Sequence, residues 1–271
     1  METSLMSSFN SLPAAITNLE QVNGGRLGVA VLDTGTGERA GHRQNERFPM
    51  CSTFKFLLVS TVLQRVDRQQ ETLDRALKVP PKPLLFNSPL TAPHAGRTMT
   101  IAALCHAALT RSDNTATNLL LESIGGPTGV TAFSRSIGDE VTRLDRLETA
   151  LNECLEGDPR DTTSPASMVD NLNSVLLENV LSALSREQLT RWMEGSLSGV
   201  ERLHAELPIG WRAVDKTGSN LAHTSNDIAV IWPIGRPPVI IAAYITQCFG
   251  PESKRSAILA EIGRLVAEAL A

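Results

Sequence analysis

The sequence predicts an α/β (α+β) fold in which strands from both ends of the chain form a sheet and a helical lobe is inserted between them. Five short apolar runs typical of strands lie near the termini, and helical patterns dominate the middle of the chain. The last segment is an amphipathic helix that can cover a sheet. We therefore expect an α/β lobe from residues 1–42 together with 197–271, and an all-α lobe from residues 43–196.

The first two strands are predicted near the N-terminus. Arg26–Asp33 is a compact apolar run, and the sequence Thr-Gly-Thr-Gly at residues 34–37 separates it from a second extended stretch that reaches residue 42. Two extended runs joined by a short glycine-containing segment are typical of a β-hairpin.

The middle of the chain has five segments with a helical pattern, at residues 52–65, 100–107, 115–124, 165–175 and 185–194. Residues 139–163 differ from them because they are rich in Asp, Glu, Arg, Gly and Pro and show no clean period. We interpret this stretch as a long ordered loop, with an Ω-type part at residues 143–161. Loops of this length in compact domains are usually functional.

The C-terminal part carries three further strand-like runs, at residues 210–216, 226–232 and 239–246, with turn residues between them. Residues 252–271 then place six apolar side chains at helical spacing with charges between them: Ile258, Leu259, Ile262, Leu265, Val266 and Leu270. This pattern predicts the amphipathic helix that covers the sheet.

Composition excludes several function classes. With 271 residues, 42% of them hydrophobic, the chain can bury a large core. A net charge of −4 and a pI near 5.8, with both signs interspersed, provide no basic field for nucleic acid or anionic lipid. No run approaches the roughly 20 apolar residues of a membrane span, so no transmembrane helix is predicted.

The four cysteines show no CxxC spacing and no nearby histidine pair, so we expect neither a zinc site nor another metal or cofactor. An even number of cysteines permits disulfides but is equally consistent with buried thiols. Residues 1–4 lack the basic region and long apolar segment of a secretory signal. The protein is then either cytosolic or one whose leader has been removed.

Ser52 and Lys55 are spaced so that, in a helix beginning at Ser52, their side chains lie on one face, one turn apart. The surrounding residues are apolar on nearly all sides, so we expect this helix and Lys55 to be buried. A desolvated lysine can activate a serine hydroxyl, and the free backbone N–H of Ser52 can donate to an oxyanion. The alternative is an N-cap serine with a lysine that reaches solvent.

A second motif is Ser112-Asp113-Asn114, which opens another helical run. The hydroxyl of Ser112 can relay a proton to a leaving nitrogen, and the amide of Asn114 can hold both a substrate amide and Lys55. Taken alone, the motif is also an ordinary helix cap.

A third motif, Lys216-Thr217-Gly218, lies at the end of an extended run. Glycine lets a ligand approach the backbone closely, while the lysine and the hydroxyl can bind a carboxylate. The alternative is a strand end that is simply solvated.

Glu148 lies in the irregular loop. A carboxylate that is held there and partly desolvated is a candidate general base for water, and Asn152, four residues on, can position that water. Taken alone, a loop glutamate is usually just solvated. Two ion pairs are expected to close the loop on itself, Arg146 with Asp161 and Asp145 with Arg160.

Together these motifs resemble the signature of the class A β-lactamase family, in which SxxK, SDN and KTG occur in this order. The resemblance covers nearly the whole chain. Further matching stretches are Ser88-Pro89, SDNTATNLLL at 112–121, RLDRLETALN at 143–152, RDTT at 160–163 and DKTG at 215–218. It implies a β-lactamase/transpeptidase-like fold, with a five-stranded antiparallel sheet flanked by helices, an inserted all-α lobe, and the active site in the groove between the lobes.

The activity that the resemblance implies is that of a metal-free serine hydrolase which opens the β-lactam amide. Ser52 is then the acylated nucleophile and Lys55 a proton acceptor or relay. Ser112 protonates the β-lactam nitrogen, and Glu148 activates the deacylating water with the help of Asn152. Whether Lys55 or Glu148 is the acylation base stays open.

The resemblance also implies the binding groups. Backbone N–H groups of Ser52 and Ser219 form the oxyanion hole, while Lys216, Thr217 and Ser219, assisted by Arg202, receive the substrate carboxylate. The implied partner is a small β-lactam molecule, bound by a monomer that is periplasmic or secreted and uses no cofactor.

Two departures from the family pattern bear on the site. Thr149 follows Glu148 where family members usually carry proline after a cis peptide. We predict that the Glu148–Thr149 peptide is still cis, because both ion pairs are available to hold the loop. At the mouth of the site, Asn87 stands where an aromatic residue is common, with Phe86 adjacent, so the substrate preference within the family stays open.

The cysteines also depart from the family. Cys105 matches one half of a common disulfide, but its partner position is Val59. Cys51 precedes the nucleophile as in some carbapenem-hydrolysing members, yet its usual partner position is Asn220. We therefore predict that all four thiols are free, those of Cys51, Cys105, Cys154 and Cys248.

Two other functions share parts of this signature. A penicillin-binding DD-peptidase, a transpeptidase or carboxypeptidase, carries similar motifs but lacks an efficient water activator, so Glu148 and Asn152 favour hydrolysis. A non-enzymatic β-lactam sensor domain is acylated once and signals through a membrane helix, which this sequence does not contain.

Overall fold

The structure is a computed structural model that describes residues 8–270. Expectations that fall on residues 1–7 and on residue 271 lie outside the described residues. The described range contains eight α-helices: α1 (Ser8–Asn23), α2 (Phe54–Asp67), α3 (Ile101–Thr110), α4 (Asn114–Ser123), α5 (Pro127–Ser136), α6 (Pro165–Leu172), α7 (Ala183–Glu194) and α8 (Glu252–Ala269). None of these helices combines the length and apolar character needed to cross a bilayer.

The same range contains nine strands: β1 (Arg26–Asp33), β2 (Arg39–His42), β3 (Phe48–Pro49), β4 (Ala76–Lys78), β5 (Thr98–Thr100), β6 (Thr162–Thr163), β7 (Arg212–Ser219), β8 (Ser225–Trp232) and β9 (Val239–Thr246). Five of them form a sheet of order β2-β1-β9-β8-β7, in which all neighbouring pairs are antiparallel. Because β1 pairs with β9, the two ends of the chain share one sheet. The predicted fold class is confirmed.

The strand bounds agree closely with the sequence pattern except at β7. We predicted residues 210–216, whereas the strand begins at Arg212 and continues to Ser219. Its last residues pair with β8, where Gly218 lies opposite Asn226 and Ser219 opposite Ser225. The Lys216-Thr217-Gly218 motif therefore lies within an ordered edge strand of the sheet.

Both faces of the sheet are covered, and β9 shows this most clearly. All eight of its residues are buried, although a strand with one solvated face would alternate. Ile240, Ala242 and Tyr244 pack into the core that contains α2, α3 and α4. Val239, Ile241, Ala243 and Ile245 pack into a second core with α1 and α8. These two cores support the two-lobe division, which we retain as a proposal.

Helix α2 is the centre of the larger core. Every residue from Phe54 to Leu63 is buried, as expected for a helix that is apolar on nearly all sides. The α-helix begins at Phe54 and not at Ser52 as predicted, because Cys51–Thr53 forms a 3₁₀ turn in which the Thr53 N–H donates to the Met50 carbonyl at 3.2 Å.

Two helices were not predicted. Helix α1 contains Pro13, and α5 follows Gly125 and Gly126 and contains Gly129, so both segments have the composition of irregular structure. Burial outweighs these local preferences: α1 inserts Phe9, Leu12 and Ile16 into the second core, and α5 inserts Val130 and Phe133 into the larger one. Tertiary packing therefore makes both segments helical, and a local sequence pattern contains no information on that packing.

Candidate active site

The segment around Ser52 is held directly against the sheet. The side-chain amide of Asn226, on β8, donates to the carbonyls of Pro49 and Met50 at 2.9 and 3.0 Å. Gly218 on β7 passes so close that a Cβ there would lie 2.9 Å from the Ser52 nitrogen and 2.8 Å from the Met50 oxygen. Any larger residue at position 218 would push the edge strand away from Ser52.

Lys55 is completely buried one turn beyond Ser52. Its ammonium group contacts three side chains: Ser112 Oγ at 3.2 Å, Asn114 Oδ1 at 2.7 Å and Glu148 Oε1 at 2.9 Å. It also donates to the Ser112 carbonyl at 2.9 Å. These contacts join three of the sequence motifs at one nitrogen, so the alternative of a lysine reaching solvent is wrong.

Two effects act in opposite directions on the pKa of Lys55. Burial lowers this pKa because the charged form loses its hydration, while the neighbouring Glu148 carboxylate raises it. The net result is a pKa below the ordinary lysine value. A proton is therefore released from this amine more readily than from an exposed lysine.

The Ser112-Asp113-Asn114 motif forms the start of α4. Asp113 is the N-cap, and its buried carboxylate accepts from the Ala116 N–H at 2.9 Å and from the backbone and hydroxyl of Thr91. Asn114 donates to the Phe86 carbonyl at 2.9 Å while it accepts from Lys55. The expected helix cap is thus present, and the same cap fixes the side chain that holds Lys55.

Glu148 is buried and held at both its side chain and its backbone. The Asn152 amide donates to Glu148 Oε2 at 2.7 Å. The Asn118 side chain accepts from the Glu148 N–H at 3.0 Å and donates to its carbonyl at 2.9 Å. The Glu148–Thr149 peptide is cis, as predicted.

Asn118 was not among the predicted site residues. A signal for it was nevertheless available in the sequence, because Asn118 lies four residues after Asn114 and the two share one face of α4. The same face of one helix therefore positions both Lys55 and Glu148.

One of the two predicted ion pairs closes the loop. Arg146 Nε lies 2.6 Å from Asp161 Oδ2, as predicted. Asp161 Oδ1 also accepts from the backbone N–H groups of Asp145 and Arg146 at 2.8 and 3.0 Å. The Asp161 carbonyl accepts from the Met50 N–H at 3.0 Å, which ties the neck of the loop to the segment that precedes Ser52.

The other predicted pair, Asp145 with Arg160, is wrong. Each residue finds a partner only two positions away: Asp145 pairs with Arg143 at 2.5 Å, and Arg160 pairs with Asp158 at 2.7 Å. A partner two residues away needs little chain ordering to reach, so the local pairs form in preference to the one across the loop.

Lys216 is also completely buried, on β7. Burial and, next, the positive charge of Lys55 lower its pKa to about 7, against the opposing carboxylates of Asp215 and Asp227. Its ammonium group donates to the Thr217 carbonyl at 2.9 Å. The pKa places this charge near the point of titration at neutral pH.

Three contacts in this region were not predicted. The Thr217 hydroxyl donates to Ser198 Oγ at 2.6 Å. Glu252, the first residue of α8, accepts from Arg202 Nη2 at 2.8 Å and from Ser219 Oγ at 2.7 Å. In the sequence Glu252 was only one charge of an amphipathic helix, and nothing local indicated that the fold brings it beside Arg202.

These elements surround a cavity of about 410 Å³. Six of the ten predicted site residues line it: Ser52, Ser112, Asn114, Asn152, Thr217 and Ser219. Lys55, Glu148, Lys216 and Arg202 lie buried next to these residues. Phe86 and Asn87 line the cavity too, as expected for residues at its mouth. A larger cavity of about 610 Å³ contains none of the ten and is mainly apolar, so the chemistry points to the smaller one.

Comparison with known proteins identifies the family. Residues 11–270 match the Beta-lactamase enzyme family. The chain is 49% identical to Beta-lactamase L2 of Stenotrophomonas maltophilia over 248 residues, which are 91% of this chain and 82% of that protein. The chain belongs to the class A serine β-lactamase family. The resemblance inferred from the motifs is confirmed, and this β-lactamase is an enzyme that hydrolyses β-lactams.

Solved structures agree. An ancestral class A β-lactamase is 55% identical, with a TM-score of 0.93 over 95% of this chain and 99% of that one. A β-lactamase from Xanthomonas campestris is 44% identical, with a TM-score of 0.96 over 98% of this chain and 100% of that one. Since these relatives are β-lactamases, the penicillin-binding and sensor alternatives are not favoured.

Proposed function

We propose that this β-lactamase opens its substrate through an acyl-enzyme on Ser52, which a water activated by Glu148 then hydrolyses. The observation that carries the proposal is the set of contacts made by the buried Lys55 ammonium. A single nitrogen lies within 3.2 Å of the Ser112 hydroxyl and 2.9 Å of the Glu148 carboxylate, one helical turn from Ser52. A candidate base and a proton relay are thus in direct contact, one helical turn from the nucleophile.

In the acylation step, Ser52 Oγ attacks the lactam carbonyl carbon and loses its proton to Lys55 or Glu148. The backbone N–H groups of Ser52 and Ser219 stabilise the oxyanion. The carbon–nitrogen bond then breaks, and Ser112 delivers a proton to the leaving nitrogen. The lowered pKa of Lys55 supports its role as a proton carrier, and its contact with Glu148 keeps both candidate bases in the path.

In the deacylation step, Glu148 removes a proton from a water that attacks the ester carbonyl. The Asn152 amide, 2.7 Å from Glu148 Oε2, orients the carboxylate and is close enough to contact the same water. Asn118 holds the backbone of Glu148 through two hydrogen bonds. Glu148 is therefore held at its carboxylate, by Lys55 and Asn152, and at its backbone, by Asn118, so it loses little orientation during the reaction.

The test is intact-protein mass against time after excess benzylpenicillin is added, with the remaining drug measured in parallel. We expect drug loss, with the protein returning to its native mass after the drug is consumed. The Ser52→Ala variant should show neither an adduct nor drug loss. A lasting adduct on the wild-type protein with little drug loss would contradict deacylation through Glu148.

We further propose that the substrate carboxylate is bound by Lys216, Thr217 and Ser219, assisted by Arg202. Glu252 opposes this binding, because its carboxylate already accepts from Arg202 and Ser219. The Glu252 side chain is 39% exposed, so its repulsion of a substrate anion is screened but not abolished.

We therefore expect Glu252→Gln to raise kcat/KM for benzylpenicillin about two- to fivefold, since the amide keeps an acceptor oxygen but removes the charge. Steady-state kinetics at low and high salt provide the measurement, and the gain should shrink at high salt. Glu261→Gln, on the same helix, is the matched control, because Glu261 pairs with Arg264 away from the site. An unchanged or lower kcat/KM for Glu252→Gln would contradict the inferred repulsion.

The pKa of Lys216 predicts a pH dependence. Above its pKa of about 7 the amine becomes neutral and loses its attraction for the substrate carboxylate. The kcat/KM for benzylpenicillin should fall at least about tenfold between pH 7 and pH 9. In Lys216→Arg the guanidinium stays charged, so the fall of kcat/KM on the alkaline side should shift to higher pH. Lys254→Arg should leave the pH profile of kcat/KM unchanged. If kcat/KM of Lys216→Arg falls at the same pH as that of wild type, the fall is caused by the titration of another group.

The cellular setting follows from the substrate class. We propose that the enzyme acts as a monomer outside the cytoplasm, in the periplasm or the medium, because β-lactams attack cell-wall synthesis there. The acidic net charge of −4 supports the absence of a nucleic-acid partner. Its biological role is then antibiotic resistance.

A further inference from the structure

Two cysteines that the proposed reaction does not use lie next to each other, one in the loop that carries Glu148 and one directly before Ser52. Cys51 and Cys154 are both buried, and their Sγ atoms lie 3.5 Å apart. As predicted, all four cysteines of the structure are free thiols. The other two, Cys105 and Cys248, lie on α3 and after β9.

The positions of the pair connect it to the catalytic residues. Cys51 directly precedes Ser52, and Cys154 lies two residues after Asn152 in the loop that carries Glu148. Asn220 stands at the position where some carbapenem-hydrolysing family members have the partner of the cysteine that precedes the nucleophile. Its side chain instead accepts hydrogen bonds from three backbone N–H groups, those of Ala222, His223 and Thr224. Cys154 therefore provides Cys51 with a different partner.

We propose that Cys51 and Cys154 form a reversible disulfide that fastens the Glu148 loop to the segment carrying Ser52. A disulfide has an S–S length of about 2.05 Å, so the two sulfurs must approach by about 1.5 Å. The neighbours of Cys154 on the loop, Glu153 and Leu155, are exposed, so the loop can make this movement without displacing core side chains.

An oxidant can reach the pair from one side. Cys154 lines a solvent-open cavity of about 470 Å³ between the loop and the sheet, together with Arg26 and Arg47. Cys51 is completely buried behind it. A hydrogen bond from the Cys51 thiol lowers the pKa of Cys154, whereas the same contact, together with burial, raises the pKa of Cys51. Cys154 is thus both the more accessible thiol and the one that ionises first.

The reaction is a thiol–disulfide exchange with a low-molecular-weight disulfide. The Cys154 thiolate attacks one sulfur of the reagent, forms a mixed disulfide and releases one thiolate. Cys51 then loses its proton to that thiolate and attacks Cys154 Sγ, which expels the second reagent thiolate. The second reagent thiolate takes up from solvent the proton that Cys154 released when it ionised. Two electrons pass from the protein sulfurs to the reagent, so the products are one protein disulfide and two reagent thiols.

The test uses the purified, reduced wild-type protein and oxidised glutathione in the absence of air. Titration in denaturant should show that the number of free thiols falls from four to two. The protein should lose about 2 Da in mass, and dithiothreitol should reverse both changes. Peptide mapping without reduction should join Cys51 to Cys154. The Cys105→Ser variant should still lose two thiols, whereas Cys154→Ser should form no intramolecular disulfide.

Thermal unfolding provides a second readout that does not depend on hydrolysis. A bond that closes a loop of about 100 residues restricts the unfolded chain, so oxidation should raise the Tm of the wild-type and Cys105→Ser proteins by about 5 °C or more. Cys154→Ser should show no such shift. Retention of all four thiols, a lasting glutathione adduct, or a lower Tm after oxidation would each overturn the proposal.

Discussion

Glu148→Gln should convert this β-lactamase into a protein that traps its substrate. The amide keeps the shape of the side chain but cannot take a proton from water, so we expect deacylation of the Ser52 ester to slow by at least about 1,000-fold. The acyl-enzyme should then accumulate and persist in intact-mass spectra after benzylpenicillin is added. Steady-state turnover should fall by the same factor.

The control is Glu153→Gln, five residues on in the same loop. The Glu153 side chain is 53% exposed and pairs with Arg146, so its neutralisation should leave turnover within about twofold of wild type. The rate at which Glu148→Gln becomes acylated identifies the base of the acylation step, for which Lys55 and Glu148 are the two candidates. Unchanged acylation makes Lys55 the base, and greatly slowed acylation makes it Glu148. Normal turnover by Glu148→Gln would contradict the mechanism.

Lys55→Met should damage both catalysis and stability. The acylation rate should fall at least about 1,000-fold, because the proton carrier between Ser52 and Ser112 is lost. The variant also leaves Glu148 buried without its counter-charge, and removing one member of a buried pair costs about 3 to 5 kcal/mol. For a protein of this size we expect a Tm lower by roughly 10 °C.

The double variant Lys55→Met/Glu148→Gln separates the two effects. It removes both charges, so it should recover much of the lost Tm while remaining inactive. Lys254→Met is the surface control, because Lys254 is exposed and its ammonium group donates to the backbone carbonyl of Asn23. Stopped-flow acylation and thermal unfolding supply the measurements. A Tm of Lys55→Met equal to that of wild type would show that the buried pair does not stabilise the fold.

The two lysines of the site show why burial matters to the chemistry. Lys55 and Lys216 are both fully buried, and both have pKa values below the ordinary lysine range. Burial lowers both pKa values, the charge of Lys55 also lowers that of Lys216, and neighbouring carboxylates oppose these effects. Lys55 therefore suits proton transfer, whereas Lys216 binds an anion only in its protonated form.

The sequence could predict the elements whose signal is local. The five strands of the sheet and helix α2 follow from apolar runs and turn residues, and all five strands form within a few residues of the expected bounds. Helices α1 and α5 could not be predicted in this way. Their proline and glycine residues resemble loop composition, and only burial against the rest of the fold makes them helical.

The same distinction holds for the site. Ser52 and Lys55 are one turn apart in any helix, so their relation is visible in the sequence. The contacts of Asn118 with Glu148 and of Glu252 with Arg202 are not visible there, because they join residues 30 and 50 positions apart. Several arginines of the loop could pair with its acidic residues, and the distances in the folded loop decide which of these ion pairs form.

The sequence by itself determined the order of the strands along the chain, the class of chemistry and the identity of the groups available for it. Only the tertiary structure decided which groups meet: Lys55 with Glu148, Glu252 with Arg202, and Cys51 with Cys154. The physical reason is that motif chemistry depends on residue type and short spacing. Contacts between distant segments depend on how the whole core packs, which no local pattern encodes.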